Sequence, residues 1–244
     1  RSPWDYQDDA DAFLSVLKEI DESSAKLQNS FATVRWNIDK IYLQSLAENQ
    51  IEIVPTLWKK NFQGINLTEF FEHFNCQQLV IKPRISANAD NTFWLKKDTA
   101  DQFVKQLEAI FSQSEFMVQP FMNSVIEEGE FSLFFFDGHF SHAILKTPKT
   151  DDFRVQEEHG GRLQAITPEN SLLAQANSTL NVISKLTGEI PLYARVDFVR
   201  CGDKANNDTF ALMEAELIEP SLYFNMDDHS AQNFVNAFIN RLND

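Results

Sequence analysis

The stretch "EFSLFFFDGHFSHAIL", residues 130–145, constrains the fold more than any other part of the chain. Two apolar runs flank the pair Asp137 and Gly138, and Asp-Gly between strand-like runs is a strong signal for a two-residue type I′ turn. The middle of the chain is therefore predicted to form a β-hairpin.

The remaining pattern alternates helices and strands. Apolar residues at helical spacing predict helices over 8–27 and 38–49, a helix capped by Asp98, a helix opened by Thr167 and Pro168, and a C-terminal helix. Strands are predicted over 51–56, 76–83, 192–199 and 209–218, the last two as an antiparallel pair. This order predicts an α+β fold with two lobes and a cleft between them.

Composition narrows the class of protein. The 244 residues carry 21 basic and 36 acidic side chains, a net charge of -15, which argues against neutralising nucleic-acid phosphates or coating an anionic membrane. Only Cys76 and Cys201 are present, which suits a reducing cytoplasm. The opening "RSPWDY" has no methionine and reads like the end of a strand, so we expect a further N-terminal segment.

Two glutamates stand out in the strand "TFALMEAELI". Side chains alternate along a strand, so Glu214 and Glu216 are expected to share a face with Phe210 and Leu212. Carboxylates this close repel each other unless the face is open to water or holds a cation.

The neighbouring strand "YARVDFV" carries Arg195 and Asp197 on one face. If the two strands pair, Asp197 can lie close to Glu214 and Glu216. Three carboxylates suit a hard cation such as Mg²⁺. A solvated sheet face with an Arg–Glu pair explains the same pattern, and both alternatives stay open.

Three lysines extend the pattern. Lys82 and Lys146 end apolar strands, and Lys40 lies on a predicted helix. Taken singly, each lysine is explained more simply as the solvated end of an element. Together with the carboxylates they favour a site for phosphate and magnesium, because binding a nucleoside triphosphate requires both cationic side chains and a metal ion.

Two polar loops are candidates for covering such a site. "RISANADNTFW" has small side chains and backbone N–H groups suited to phosphate, and "RVQEEHGGR" brings Arg154 and a Gly-Gly pair. A plain surface loop is the alternative for each. No HxH or HExxH pattern, serine elbow, Cys–His pairing or Walker motif is present in the sequence.

Several segments, in this order, resemble the ATP-grasp enzymes. They are "LVIKP" with the small-residue loop after it, "MVQPFM", "EEGEFSLFFFDGHFSHAILK", "FRVQEEHGG", "LYARVDF" and "LMEAELIEPSLYF". The sequence is most similar to the bacterial glutathione-synthetase-like branch of that superfamily. The resemblance implies a connecting region over 1–55, a small lobe over 56–122 and a large lobe over 123–244, with the N-terminal subdomain of that branch largely missing.

The resemblance also implies roles for individual residues. Lys40 and Lys82 would contact ATP phosphates, and Glu130 would lie near the ribose. The backbone of the hinge Gln119, Pro120, Phe121 and Met122 would bind adenine. Mg²⁺ would be held by Asp197, Glu214 and Glu216, and the transferred phosphoryl group would face Arg154, Lys146 and Arg195.

The implied activity is a cytoplasmic, ATP- and Mg²⁺-dependent ligation of a small-molecule carboxylate to an amine or thiol through an acyl phosphate. The sequence departs from the family in a phosphate-covering loop without glycine, "SANADNT", and in Glu216 where Asn is common. A catalytically inactive ATP-binding module and an acidic interaction protein remain as alternatives. A homodimer that uses Trp4 and Trp58 is a further expectation.

Overall fold

The computed structural model describes residues 5–150, 152–201 and 209–243. Their helices are α1 (Ala10–Asp21), α2 (Phe31–Asn37), α3 (Tyr42–Glu48), α4 (Leu67–Phe74), α5 (Val104–Phe111), α6 (Ser124–Glu127), α7 (Asn170–Thr187) and α8 (Ser230–Asn243). Their strands are β1 (Leu57–Lys59), β2 (Gln78–Pro83), β3 (Phe93–Lys96), β4 (Phe116–Pro120), β5 (Glu130–Phe136), β6 (His139–Thr147), β7 (Arg162–Ile166), β8 (Tyr193–Arg200) and β9 (Phe210–Glu216). The predicted α+β class is confirmed.

The smaller of two antiparallel sheets has the strand order β1-β4-β2-β3. Alternation along β2 sends Leu79 and Ile81 into a core shared with α4 and α5. Val80 and Lys82 point to the opposite face, which borders the cleft. The sequence "LVIK" thus builds a core and delivers one cation to the other side of the sheet.

The larger sheet has the order β7-β6-β5-β8-β9. Its centre is the predicted hairpin of β5 and β6, whose turn residues Asp137 and Gly138 have φ of 50° and 76°, as a type I′ turn requires. Every residue of β5 is buried, because helices cover one face and the cleft and α8 cover the other.

A β-bulge corrects one prediction about β9. Phe198 pairs with Leu212, whereas the preceding residue, Asp197, pairs with Glu214, so Met213 is an extra residue on β9. Leu212 therefore packs in the main core, and Glu214 lines the cleft. The sequence pattern predicted that Leu212 and Glu214 lie on the same face of β9. Because of the extra residue, they lie on opposite faces.

The outer edge of β9 is covered from within the chain. The Asn37 side chain accepts from Leu217 N and donates to Ala215 O, and the Tyr42 hydroxyl accepts from Ala215 N. Leu212 exchanges backbone hydrogen bonds with the segment 52–54. These contacts fix the carboxylate-bearing strand to α2 and α3.

Several predicted boundaries change. Lys40 lies in the turn between α2 and α3 and not in a helix, and segment 51–56 forms only an isolated bridge at Ile53. Helix α1 ends at Asp21, and α7 begins at Asn170, after Pro168. The three proposed domain boundaries stay a prediction.

Trp58, expected at an exposed dimer surface, is half-buried against the main core, and Trp4 lies outside the described residues. The homodimer stays a prediction. Across the described ranges, every helix is too short or too polar to cross a bilayer.

Candidate active site

A deep cleft takes its lining from both sheets and from the segments that connect them. The smaller sheet contributes Val80, Lys82 and Gln119, and the larger sheet contributes Glu130, Lys146, Arg195, Glu214 and Glu216. The cleft thus gathers most of the ionisable residues that the sequence analysis selected.

Asp197 is buried and is not one of the residues that line the cleft, but it contacts two that are, Arg195 and Lys146. Its carboxylate accepts hydrogen bonds from Ser132 Oγ at 2.5 Å and from Arg195 NH2 at 3.0 Å, and Lys146 Nζ lies 3.5 Å away. Burial alone would raise the pKa of Asp197, but Arg195 and Lys146 outweigh it and lower that pKa. The sheet register explains the grouping, since Ser132 pairs with Asp197 across β5 and β8.

Glu130 and Lys146 form an ion pair directly across the β5–β6 ladder. Burial raises the pKa of the Glu130 carboxyl, although Lys146 opposes the rise. The pKa of Lys146 is raised because Asp197 and Glu130 overcome the effect of burial. Lys146 therefore stays charged at the floor of the cleft.

Lys40 connects β9 to the polar loop after β2. Its Nζ lies 3.1 Å from Glu214 Oε1 and donates to Ser86 O at 2.7 Å. Lys40 is buried, so these contacts are shielded from water. The turn position of Lys40, not a helix, allows it to reach both partners.

Lys82 differs from the other three cations of the site. Burial lowers its pKa, with a smaller opposing effect from Glu214 and a further lowering by Lys40. Every other cation named here has a carboxylate within 4 Å, whereas the described part of the chain gives Lys82 none. Its ammonium group therefore faces the cleft without a carboxylate to neutralise it.

The antiparallel pairing predicted for the two carboxylate strands is present, and it places Arg195 opposite Glu216 and Asp197 opposite Glu214. Burial raises the pKa of Glu216 to about 8, with Arg195 opposing and Glu214 adding to the rise. Burial would also raise the pKa of Glu214, but Lys40 and Lys82 lower it.

Within the described ranges, no three His, Cys, Asp or Glu side chains are grouped as a ready metal site. Glu214 contacts Lys40, and Glu216 contacts Arg195. The oxygen donors nevertheless suit Mg²⁺. The pKa of Glu216 is raised mainly because burial disfavours its charged form, and a cation bound beside the carboxylate would favour that form. The residues therefore fit the ion chemically, and their role as ligands stays a prediction.

Arg154 lines the same cleft as Lys146 and Arg195, with which it was predicted to act. Its guanidinium is paired with Asp152 through NH2 at 2.9 Å and Nε at 3.1 Å. This pair lowers the pKa of the Asp152 carboxyl.

All four hinge residues, 119–122, line the cleft. The Phe121 N–H donates to Gln78 O at 3.0 Å, and Gln119 Nε2 donates to Thr56 Oγ1 at 3.0 Å. Phe121 stacks on Trp94 with ring centroids 4.7 Å apart, and Phe153 lies 5.6 Å from Trp94. Of these three rings, Phe121 and Phe153 line the cleft, and an aromatic lining of this kind suits a flat heterocycle.

Sequence reasoning missed several residues of this cleft. They are Tyr6, Phe153, Gln156 and Glu219. Ser132, which does not line the cleft but donates to Asp197, was missed as well. Gln156 Oε1 is buried and has no hydrogen-bond partner among the residues that the structure describes. Buried polar atoms of this kind are rare in folded proteins, so this acceptor is available to a bound ligand.

The glycine-free loop, residues 84–92, lies over the cleft through Ser86, Ala87, Asn88, Ala89 and Thr92. Asn88, Ala89 and Asn91 have φ of 52°, 57° and 48°, the left-handed conformation that glycine adopts most easily. The loop thus reaches a glycine-like path without glycine.

The chain has the fold of the ATP-grasp ligases. It is similar to the cycloserine biosynthesis protein DcsG of Streptomyces lavendulae, with 26% identity across 99% of this chain and 82% of that protein. The crystal structure of the D-cycloserine synthetase DcsG superposes with a TM-score of 0.85 at 26% identity over the same shares.

Two further structures share the fold. The D-alanine–D-alanine ligase of Bacillus anthracis gives a TM-score of 0.69 at 16% identity, over 93% of this chain and 74% of the ligase. The ATP-grasp ligase PsnB, solved with a minimal precursor, gives a TM-score of 0.61 at 18% identity, over 93% of this chain and 69% of PsnB. Another structure of the Bacillus ligase contains ATP, and another of PsnB contains Mg and ADP. No protein-family model matches the chain.

Proposed function

We propose that the protein is an ATP- and Mg²⁺-dependent ligase that joins a carboxylate to an amine, or less readily a thiol, through an acyl phosphate. The observation that carries the proposal is the cleft in which Lys40, Lys82, Lys146 and Arg195 meet four carboxylates between two sheets. The similarity to DcsG and to D-alanine–D-alanine ligase supports ligation, and their names support small-molecule substrates. The glutathione-synthetase-like subtype rests on the sequence resemblance alone.

The nucleotide is proposed to lie with its base at the hinge and its phosphates toward Lys40 and Lys82. The aromatic rings of Trp94, Phe121 and Phe153 support the base position, and Gln156 Oε1 supplies an acceptor near it. Lys82 has no carboxylate partner among the described residues, so a phosphate oxygen would meet its charge without first breaking an ion pair.

Asp197, Glu214 and Glu216 are the proposed holders of Mg²⁺, which when bound supplies positive charge to the triphosphate. Lys146 and Arg195 remain next to this position and would neutralise charge on the transferred phosphoryl group. The acid substrate would attack the γ-phosphate to give an acyl phosphate and ADP, and the amine would then displace phosphate. The chain positions reactants and compensates charge, so the scheme needs no covalent nucleophile.

A catalytically inactive nucleotide-binding module is the second candidate. The observation that favours it is the engagement of Glu214 by Lys40 and of Glu216 by Arg195, which have to rearrange before a metal can bind. The two candidates differ in turnover and not in nucleotide binding.

Thermal unfolding with Mg²⁺, with a non-hydrolysable ATP analogue, and with both is the first test. We expect stabilisation only when Mg²⁺ and the ATP analogue are both present. A ligand that binds only the folded state and is present at about 100 times its Kd adds roughly 2.7 kcal/mol to the unfolding free energy. Lys82→Ala should weaken nucleotide binding by roughly 10- to 100-fold, as expected for one charge-assisted hydrogen bond. The exposed Lys105→Ala serves as the matched control.

ADP release with pairs of small carboxylates and amines then separates the candidates. Glu214→Ala should abolish ADP release. Without ligand, this variant should still show the cooperative melting curve of a folded protein. Unchanged turnover in Glu214→Ala would remove the metal assignment. Binding of Mg²⁺ and nucleotide without ADP release from any pair would favour the inactive module.

A further inference from the structure

The C-terminal helix α8 is apolar on two sides. One side, with Phe234 and Ala237, packs in a core cluster with β5 and β6. The other side is exposed and carries four apolar residues at spacings of four, three and four: Ala231, Val235, Phe238 and Leu242. We call these four residues the α8 stripe. Residues at these spacings lie in one row along a helix, and they form the seam of a coiled coil when another helix packs on them.

Exposed apolar side chains are grouped around the α8 stripe. Of the ten large apolar side chains that are exposed among the described residues, six lie on α8 or next to it. Four of the six are on the helix and are 39–57% exposed: Val235, Phe238, Ile239 and Leu242. Phe224 packs on Phe234 with ring centroids 5.7 Å apart, and Ile190 O accepts a hydrogen bond from Arg241. Apolar side chains grouped in this way on a surface indicate a contact with another molecule.

The α8 stripe is uncharged, although the chain as a whole has a net charge of -15. The helix has one charged residue, Arg241, whose Nε donates to Asp137 Oδ1 at 2.7 Å. A basic partner would bind an acidic surface, which this helix does not offer. Helices that lie on a membrane are rich in Lys and Arg, which α8 is not. The α8 stripe therefore suits an apolar protein surface.

The α8 stripe is complementary to a second copy of itself. Its spacings of four, three and four residues are the same from either end. When two copies of α8 pack antiparallel about a two-fold axis, Ala231 faces Leu242 and Val235 faces Phe238 in both halves of the contact. Each smaller side chain thereby faces a larger one, as interdigitated packing requires. A parallel arrangement would place Phe238 on Phe238 and Ala231 on Ala231.

We propose that the protein forms a two-fold symmetric homodimer in which the α8 stripes of two chains pack antiparallel. One helix of 14 residues, about 21 Å long, contributes the centre of the contact from each chain. This contact is smaller than the roughly 800 Å² per partner of a standard interface, so we expect a reversible dimer with a Kd of roughly 1–100 µM. The dimer does not depend on the proposed ligase activity and is tested without substrate or nucleotide.

Sedimentation equilibrium of the full chain over a range of concentrations is the first test. We expect the average mass to rise from that of one chain towards that of two. Added salt should strengthen the dimer, because it screens the repulsion between two acidic chains while the contact itself is apolar. The mass of one chain at every concentration up to about 300 µM, which is above the expected Kd, overturns the proposal. Weakening by salt would show that ion pairs hold the chains together and would also overturn it.

Val235→Lys and Phe238→Glu each place a charge at the centre of the contact. Each should raise the Kd at least about 30-fold, as expected for a central contact residue. Val16→Glu, at a 55% exposed position on α1, is the matched control and should keep the wild-type Kd. A melting curve identifies a variant that fails to fold, and Leu242→Glu, at a 57% exposed position, then replaces it. A wild-type Kd in Phe238→Glu or Leu242→Glu overturns the proposal.

An equimolar mixture of the Val235→Lys and Phe238→Glu variants tests the antiparallel pairing directly. In a mixed dimer the introduced ammonium group of one chain faces the introduced carboxylate of the other, and the second contact keeps the original Val235–Phe238 pair. We expect the mixture to associate at least about tenfold more tightly than either variant alone. Equally weak association of the mixture and the single variants overturns the antiparallel pairing. Binding of a monomeric wild-type chain to phosphatidylcholine vesicles, lost in Phe238→Glu, would assign the stripe to a lipid surface and likewise overturn the proposal.

Discussion

At the scale of single residues, Ala89 has a backbone conformation that costs free energy. Its φ of 57° lies in the left-handed region, where a Cβ atom is crowded against the following carbonyl group. Asn88 and Asn91 share the conformation, and asparagine tolerates it better than alanine. The loop that covers the cleft therefore stores strain mainly at Ala89.

Replacing Ala89 with glycine should relieve this strain. Relief of roughly 1–2 kcal/mol is partly offset by the greater entropy of unfolded glycine, so we expect Ala89→Gly to be neutral or stabilising by up to about 1 kcal/mol. Urea unfolding measures the change. Ala87→Gly, at a position without positive φ, is the control and should destabilise the protein. Equal destabilisation by the two substitutions would show that Ala89 is not strained.

At the scale of elements, the segment 152–161 has a tightly closed path beside the cleft. Gly161 N donates to Gln156 O at 3.1 Å, and Gly160 N donates to Glu157 O at 2.8 Å. A Cβ on Gly161 would lie only 2.0 Å from Val155 O, which is far inside contact distance. The path of this segment, and with it the position of Phe153, depends on the absence of a side chain at Gly161.

Gly161→Ala should therefore displace Val155 and its neighbours Phe153, Arg154 and Gln156, all of which line the cleft. We expect at least about a tenfold loss of nucleotide affinity, the equivalent of one lost ligand contact. Binding of the ATP analogue by calorimetry is the measurement. Gly64→Ala, where a Cβ meets no atom within 4 Å, should lower stability through its positive φ but leave affinity unchanged. Wild-type affinity in Gly161→Ala would separate this segment from nucleotide binding.

Prediction from sequence succeeded where local pattern determines structure. The Asp137-Gly138 turn and the antiparallel pairing of the two carboxylate strands follow from turn chemistry and from the order of strand and loop. The bulge at Met213 was missed because an extra residue becomes evident only when the partner strand is known. The contacts of Tyr6 with Glu219 were also missed, since they join residues more than 200 positions apart. Long-range packing of this kind leaves no periodic signal in the sequence.

At the scale of the whole molecule, the cleft makes stability depend on pH. Burial raises the pKa of Glu216 to about 8 and that of Glu219 to about 7, from ordinary values near 4.5. Between pH 4.5 and pH 8, the folded chain therefore binds more protons at these two carboxyl groups than the unfolded chain does. The stabilisation from these protons is fully present below about pH 4.5 and is lost as the pH rises through 7 and 8.

The ligand-free protein should therefore lose this contribution to its unfolding free energy between pH 5.5 and 8. Glu216→Gln cannot release a proton, so its urea-unfolding profile should fall less steeply with pH than that of the wild type. Burial lowers the pKa of His142, which has the opposite effect on stability, but this residue is common to both proteins and cancels in the difference. Parallel profiles would contradict the assignment, and Glu72→Gln should follow the wild type.

The covered outer edge of β9 limits how one molecule can associate with another. An open strand edge offers unpaired amide and carbonyl groups to a strand from another molecule, and this is a common route to aggregation. Here the amide and carbonyl groups at the edge of β9 form hydrogen bonds with Asn37, Tyr42 and the segment 52–54. The carboxylate strand is thereby unavailable for intermolecular sheet growth. The same contacts that hold the proposed metal ligands in place protect this edge of the larger sheet from self-association.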